Sequence, residues 1–405
     1  MFQKKTLLAL EFDKITAKIN EYAVLDGTKD LISNLLPTSN FCDAKILLDK
    51  TEEAYKLLFE HNINKVYFFF DVFDELYRVD KGGVLNIKEI LRIVENLKSA
   101  RLLKTSIQPI SDESIVYLRE ISANLFTNLE FEKEISKKII SEDEFSDNAS
   151  PKLFSIRKKI RDIKAKVRDK LNSYLHGNQN KFLQDSVVTM RQDKYVIPVK
   201  SEYRSSIKGY IYDQSASGST VFIEPEQVME LNNDLKMALY EEAEEIKQIL
   251  RDITKEISYM TSGIRLNQEN IIIIDSFFAR AEYSFRIKAN RPILNDVGEI
   301  DVISGRHPLI SPEKVVPVSV KLGLDYNFLL ISGPNTGGKT VTMKMLGLFS
   351  IMSMCGIFIP AISGSKISVF NGVYCDIGDE QSIEQDLSTF SSHIKNLINI
   401  IDNID

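Results

Sequence analysis

Between residues 152 and 176 apolar side chains recur every three or four positions, at Leu153, Ile156, Ile160, Ile163, Val167, Leu171 and Tyr174, and no glycine or proline interrupts them. That spacing lays one apolar stripe along an α-helix and predicts an amphipathic helix over 152–176. A second uninterrupted run follows Pro225 and continues to Ser262, with Leu231, Leu235, Leu239, Ala243, Ile246, Leu250, Ile253, Ile257 and Met260 as its stripe. At about 1.5 Å per residue such a helix spans roughly 50 Å. Between the two helices the period changes, and residues 187–191, 195–200, 207–212 and 220–223 read as short strands punctuated by the turn SASGS at 215–219. The pattern predicts an antiparallel arm with a β-rich insertion at about 186–224. Such an arm suits a rigid spacer and a transmitter of motion equally.

Before the arm, residues 44–58 and 87–103 carry helical periodicity, and the polar, acidic stretch SEDEFSDNAS at 141–150 reads as a linker or loop. The aromatic cluster Tyr67, Phe68, Phe69, Phe70 and Phe73 lacks interleaved basic residues and reads as core. After about residue 298 the chain turns α/β, with strands expected at 300–304, 316–321 and 328–332 and a helix at 340–349. Residues 341–362 are apolar, but Lys344, Gly347, Gly356 and Pro360 interrupt them, which predicts a buried helix followed by a strand. The expected division is a helical core or lever at 1–150, a long-helix arm at 151–297 and an α/β domain at 298–405.

Composition narrows the function classes. With 51 Lys and Arg against 57 Asp and Glu the net charge is −6, so any nucleic-acid surface must be local. Cys42, Cys355 and Cys375 are widely spaced and fit neither a disulfide framework nor a zinc site, which points to a reducing cytoplasm. At the N-terminus Glu11 and Asp13 arrive too early for a signal-peptide core.

The strongest chemical signal is GPNTGGKT at 333–340, a complete G-x-x-x-x-G-K-[ST] phosphate-binding loop lying between an apolar run and a helix. Gly337 and Gly338 lack Cβ atoms and let the backbone curl and aim N–H groups at phosphate oxygens, Gly333, Pro334, Asn335 and Thr336 complete the expected ATP-binding loop, and the following helix N-terminus favours negative charge. Lys339 is placed to reach the β- and γ-phosphates, and Thr340 offers a hydroxyl to Mg²⁺. ATP and Mg²⁺ are therefore the expected ligands, against a Gly-rich turn that binds nothing. The helix at 152–176 carries Arg157, Lys158, Arg161, Lys164, Lys166 and Arg168 on its other faces, against only Asp162 and Asp169. These cations suit a solvated helix face or a surface that tracks a phosphate backbone.

GRHPLI at 305–310, GPNTGGKT at 333–340 and DIGDEQSIEQDLSTFSSH at 376–393 together resemble the MutS family of DNA-repair ATPases. YDQSASGSTVFIEP at 212–225 and ELNN at 230–233 are similar to its bacterial type two branch, and the resemblance covers essentially the whole chain. It implies a mixed fold, mainly an α-helical lever and clamp with a small β insertion, followed by an incomplete α/β ABC-type P-loop ATPase domain working as a homodimer. Mismatch reading is not implied, because the branch lacks that module. The resemblance implies that Asn335 contacts the γ-phosphate or attacking water, and that Ser388 and Thr389 face the γ-phosphate bound by the partner protomer. For Ser388 helix capping is a compatible role. Arg306 and His307 fall near the nucleotide-binding sheet or serve a turn, and His393 reads as a surface residue.

One departure stands out. Val373, Tyr374, Cys375 and Asp376 imitate a Walker B strand, yet Asp376 is followed by Ile377 where Glu is required, and the segment precedes the Ser388 loop. The true Walker B, the histidine switch and the nuclease module usual in the branch are expected beyond Asp405, so the chain reads as a fragment with weak ATP binding and no turnover of its own. The implied partners are branched DNA, whose capture suppresses recombination, and collided ribosomes, which the dimer splits for rescue; no membrane is implied. The alternatives are a nucleotide-switched dimeric scaffold without turnover and, more distantly, a coiled-coil chromosome-maintenance ATPase.

Overall fold

The computed structural model describes residues 2–63, 69–334, 337–377, 394, 397, 398, 400 and 401. In chain order the described elements begin with helices α1 (Lys4–Ala9), α2 (Phe12–Asn20), α3 (Asp26–Ser33), α4 (Phe41–Phe59), α5 (Phe73–Asp80), α6 (Ile87–Ile107), α7 (Tyr117–Ala123) and α8 (Leu129–Lys138). A hairpin of β1 (Ile139–Ser141) and β2 (Glu144–Phe145) precedes α9 (Pro151–His176). Strands β3 (Thr189–Arg191), β4 (Lys194–Lys200), β5 (Gly209–Gln214) and β6 (Thr220–Pro225) lead into α10 (Glu226–Ser258) and α11 (Thr261–Arg286). Strands β7 (Ile293–Asn295), β8 (Ile300–Gly305) and β9 (Val318–Leu322), helix α12 (Lys339–Met354) and strand β10 (Lys366–Ser368) complete them. The fold is mixed and helix-rich, with several small sheets.

Contacts divide the chain differently from the segments 1–150, 151–297 and 298–405. One unit holds residues 1–71, 95–127 and 262–405, and the other holds 72–94 and 128–261. The cause is a shared core: Leu10, Ile15 and Ile19 of the N-terminal region bury with Val302, Phe349 and Met352 of the α/β region in one apolar cluster. Element type along the chain marks where strands start, whereas burial decides which elements share a unit.

In the unit of 72–94 and 128–261, α9 starts on Ser150, whose hydroxyl accepts the Leu153 N–H at 2.9 Å, with Pro151 as its first residue. The ion pairs Lys152–Glu245 (2.8 Å), Arg157–Glu242 (2.7 Å) and Lys159–Glu241 (3.2 Å) climb α9 as they descend α10, so the two helices run antiparallel. Ile160, Ile163, Val167 and Leu171 bury against Leu235, Ala238 and the sheet residues Val199, Val221 and Ile223. That sheet is antiparallel, in the order β3-β4-β6-β5, with Ile197 opposite Ile223.

Residues 141–150, expected as linker or loop, are instead part of this unit. Phe145 is buried in the β1–β2 hairpin, and Asp147 accepts hydrogen bonds from Arg157 (2.8 Å) and Arg161 (2.7 Å). One apolar anchor and one doubly paired carboxylate outweigh the polar composition of the stretch.

In the other unit the sheet order is β7-β10-β8-β9, with β7 and β10 parallel and β8 antiparallel to both its neighbours. Residues 328–332, expected as a buried strand, form none, and Phe328 and Leu330 are 78% and 79% exposed. A strand needs a hydrogen-bonding edge, and among the described residues none lies against this run. The strand expected after α12 is likewise reduced to one bridge, Asn290 with Ile359, although 357–361 are buried. The aromatic cluster splits: Tyr67 and Phe68 lie outside the described residues, Phe69 packs against a core cluster, and Phe70 is 37% exposed.

Two buried carboxylates tie this unit together. Glu53 on α4 accepts the N–H groups of Val116 (2.9 Å), Tyr117 (3.0 Å) and Leu118 (2.7 Å), and so caps α7 from a distance in sequence. Asp275 on α11 fixes the chain as it enters α3, accepting from Val24 (3.0 Å) and the N-cap residue Leu25 (3.1 Å). Glu53 satisfies helix-terminal donors that no local side chain reaches.

Candidate functional site

Gly338 is the N-cap of α12 and has φ 78°, a conformation that costs a residue bearing Cβ but not glycine. Its carbonyl accepts both the backbone N–H (2.9 Å) and the hydroxyl (3.0 Å) of Thr342, which closes the first turn of the helix. Upstream, Gly333 has φ 146° and the Gly337 N–H donates to the Pro334 carbonyl at 2.9 Å, so the chain reverses tightly before entering the helix. Lys339, the first residue of α12, turns its ammonium back over the loop and donates to the Gly333 carbonyl at 2.6 Å. Thr340 follows it on the exposed first turn. Asn335 and Thr336 lie outside the described residues, as do Ser388, Thr389 and His393.

The donors gathered here are those a phosphate-bearing ligand needs. The first-turn N–H groups of α12 lack intrahelical partners, the helix dipole favours an anion, and the Lys339 ammonium folds back to the Gly333 carbonyl. A side chain at Gly333 or Gly338 would strain that curl, because each has a positive φ. Thr340 has an exposed side chain on this turn, and its hydroxyl is of the kind that ligates a divalent cation. Among the described residues no three of His, Cys, Asp and Glu gather as a metal-binding group, and no helix is long and apolar enough to cross a membrane.

The far end of α12 is fixed from α11. Arg280 is buried, and its Nη1 donates to the Cys355 carbonyl at 3.0 Å, at the negative end of the helix dipole. The guanidinium also stacks over Phe277 at 4.5 Å, and burial brings its pKa down to about 10, so it stays charged at neutral pH. Nothing in the local sequence around Arg280 signals this role, since its acceptor lies 75 residues away. Residues 372–377 form no strand, and Val373 and Cys375 lean on the apolar core of the unit.

Arg306 and His307 line a second cavity of 350 Å³ with Lys18, Arg286, Val315 and Pro360. Arg306 acts on the turn itself: its backbone N–H donates to Pro360 and its Nη2 to the Lys288 carbonyl, both at 2.9 Å. His307 is 5% exposed; burial, with a smaller push from Lys344 and against a pull from Glu11, lowers its pKa below the ordinary 6.5. The unfolded chain therefore takes up this proton first as pH falls. Stability contributed by neutral His307 is present above about pH 6.5 and is lost as pH drops through the lowered folded value. Denaturant midpoints measured from pH 7 to pH 5 should fall less steeply for His307→Gln than for the wild type; equal slopes would remove His307 from the acid response.

The six cations expected on α9 separate into two groups. Arg157 is structural, with its side chain only 17% exposed and bonded to Glu242, Asp147 and the Phe145 carbonyl. Arg161 shares Asp147 but remains 54% exposed, and Lys158, Lys164, Lys166 and Arg168 face solvent. Asn232, within the ELNN motif, brackets the backbone of Tyr195: its Oδ1 accepts the Tyr195 N–H (3.2 Å) and its Nδ2 donates to the Tyr195 carbonyl (3.1 Å) and to Glu224 Oε1 (2.8 Å). The motif visible in sequence is thus a clamp that fixes β4 on α10.

Comparison with known proteins agrees with these features. Residues 329–405 match the family MutS domain V. The chain is similar to Endonuclease MutS2 of Clostridium botulinum strain Alaska E43, 40% identical over 400 residues that cover 98% of this chain and 51% of the relative. It is also similar to Endonuclease MutS2 of Geobacillus sp. strain WCH70, 40% identical over 404 residues, 99% of this chain and 52% of the relative. For Endonuclease MutS2 of Clostridium perfringens strain SM101 the identity is 41% over 399 residues, 98% of this chain and 51% of the relative. The chain spans about half the length of the curated relatives it matches.

Proposed function

The chain matches the MutS family in its MutS2 branch along nearly its whole length, and on that premise we propose that it supplies the ATP-binding loop and the nucleic-acid arm of a homodimeric cytoplasmic ATPase. The observation that carries this reading is the pairing, in one chain, of a phosphate-binding loop opening α12 with an arm helix, α9, that presents solvent-facing cations. The loop belongs to an ABC-type head beginning near residue 298, and the arm to the clamp that grips the substrate. That substrate is branched DNA, a collided ribosome, or both; each offers the phosphate backbone that Lys158, Lys164, Lys166 and Arg168 would neutralise.

Bound ATP and Mg²⁺ bring the transferable phosphoryl group and the divalent charge that spreads over it. Lys339, now bonded to the Gly333 carbonyl, would turn its ammonium to the β- and γ-phosphate oxygens, and the α12 N–H groups would hold the phosphates. Thr340 supplies its hydroxyl to the cation, and Asn335 orients the γ-phosphate or the attacking water. By resemblance to the family, Ser388 and Thr389 of one protomer would face the γ-phosphate held by its partner, which would make dimerisation part of the active site. Arg280, anchored on the last carbonyl of the α12 region, gives α11 a direct hold on the loop helix.

In a pull-down of the full-length protein with non-hydrolysable ATP, branched DNA or ribosomes should co-purify. The triple reversal Lys158→Glu, Lys164→Glu, Lys166→Glu should reduce recovery roughly tenfold or more at moderate salt. Undiminished recovery of both would return this face of α9 to a solvated surface.

A further inference from the structure

Below the cationic stripe of α9 lies a groove of 490 Å³ that a duplex-tracking surface does not require. Arg161, Lys164 and Arg168 form one rim, three to four residues apart on the same helix face, and Ala165 sits among them where a longer side chain would fill the space. The opposite wall is Val188 and Tyr195 of the β insertion. Lys164 and Arg168 have no acidic partner among the described residues, while Arg161 keeps one bond to Asp147 and is still half exposed. The Tyr195 wall is held in place before any ligand arrives, because Asn232 brackets its backbone on both sides.

We propose that this groove binds a nucleotide of an unpaired DNA strand, with its phosphates on Lys164, Arg168 and Arg161 and its base or sugar against Tyr195 and Val188. This rests on the nucleic-acid reading above and narrows it from a duplex backbone to an unpaired strand. Size and chemistry both favour the strand. The volume is that of a small-ligand pocket, large enough for one nucleotide and too small for a base-paired duplex, whose bases are stacked away and whose backbone could only lie across the rim. An aromatic wall facing a row of cations is the arrangement that takes single strands, where each base has a free face to stack and each phosphate a cation to meet. Branched DNAs with a flap, fork or gap expose such unpaired nucleotides, which would let the arm select them over plain duplex.

Ala165→Trp tests this without touching charge. The residue is exposed on α9, so the substitution fills the groove while leaving the helix intact, and Ala165→Ser serves as a control of nearly unchanged volume. Binding of the full-length protein to a labelled 20-nucleotide oligo-dT and to a duplex of the same length is followed by fluorescence anisotropy at fixed low salt. The expected result is a loss of roughly tenfold in single-strand affinity for Ala165→Trp, duplex affinity within about twofold of wild type, and Ala165→Ser unchanged. Single-strand affinity untouched by Ala165→Trp, or equal weakening of both forms, overturns the groove assignment and leaves the arm reading in place. A free mononucleotide that competes as well as the oligomer, nucleotide for nucleotide, overturns the strand assignment. Wild-type protein that binds neither form of DNA overturns the groove assignment together with the DNA arm of the proposed function.

Discussion

Lys339→Ala in the full-length protein should reduce ATP turnover by roughly 100-fold or more, because it removes the ammonium that folds back onto the Gly333 carbonyl, where the proposed site would hold the transferring phosphates. The geometry makes the loss specific. Lys339 leads α12 and folds over a reversal set by Gly333 and Gly338, but its side chain joins no apolar core. Its truncation should therefore leave the urea midpoint nearly unchanged while turnover collapses. Lys339→Arg keeps the charge but replaces a compact ammonium with a planar fork, and should recover little of the activity. Full turnover by Lys339→Ala would remove this residue from the mechanism.

Glu53→Ala carries the largest expected cost in stability. Its carboxylate accepts three N–H groups at the start of α7, and it is 3% exposed, so truncation leaves three donors without that acceptor, the Leu118 N–H in a buried place. A hydrogen bond to a charged group contributes about 1.5–3 kcal/mol and an orphaned buried donor costs a similar amount, which puts the total at about 3–5 kcal/mol. Glu53→Gln keeps one carbonyl oxygen and should lose less than half of that. Chemical denaturation of the three proteins checks this; an alanine variant within about 0.5 kcal/mol of wild type would mean that α7 is capped by other groups.

These effects also mark where the sequence was legible. The stripes of α9 and α10 recur over 26 and 33 residues, long enough for periodicity to specify each helix, and the short strands of the insertion are set apart by turns. The phosphate loop needs only local spacing, since its glycines, Lys339 and Thr340 occupy eight consecutive positions. Other features depend on partners far along the chain. Glu53 meets residues 63 to 65 positions away, Asp275 residues 250 and 251 away, and Arg280 a carbonyl 75 away, and no window of sequence holds both ends of such a bond. Composition misleads where one anchored residue decides, as Phe145 and Asp147 do in the acidic stretch 141–150. It misleads again at 328–332, where apolar residues suggest burial but no described strand pairs with them. The groove beside Ala165 is not legible in the sequence because its walls come from α9 and from the β insertion that follows it, and the Asn232 bonds that fix Tyr195 span 37 positions.

Residues 333–340 are proposed to bind ATP together with Mg²⁺, and Mg²⁺-dependent binding of a fluorescent ATP analogue to full-length wild type and Lys339→Ala tests this. The expected result is saturable binding by the wild type, weakened when Mg²⁺ is removed and at least roughly tenfold weaker in Lys339→Ala. A wild type that binds no ATP analogue, or a variant that binds it as tightly, would contradict the account.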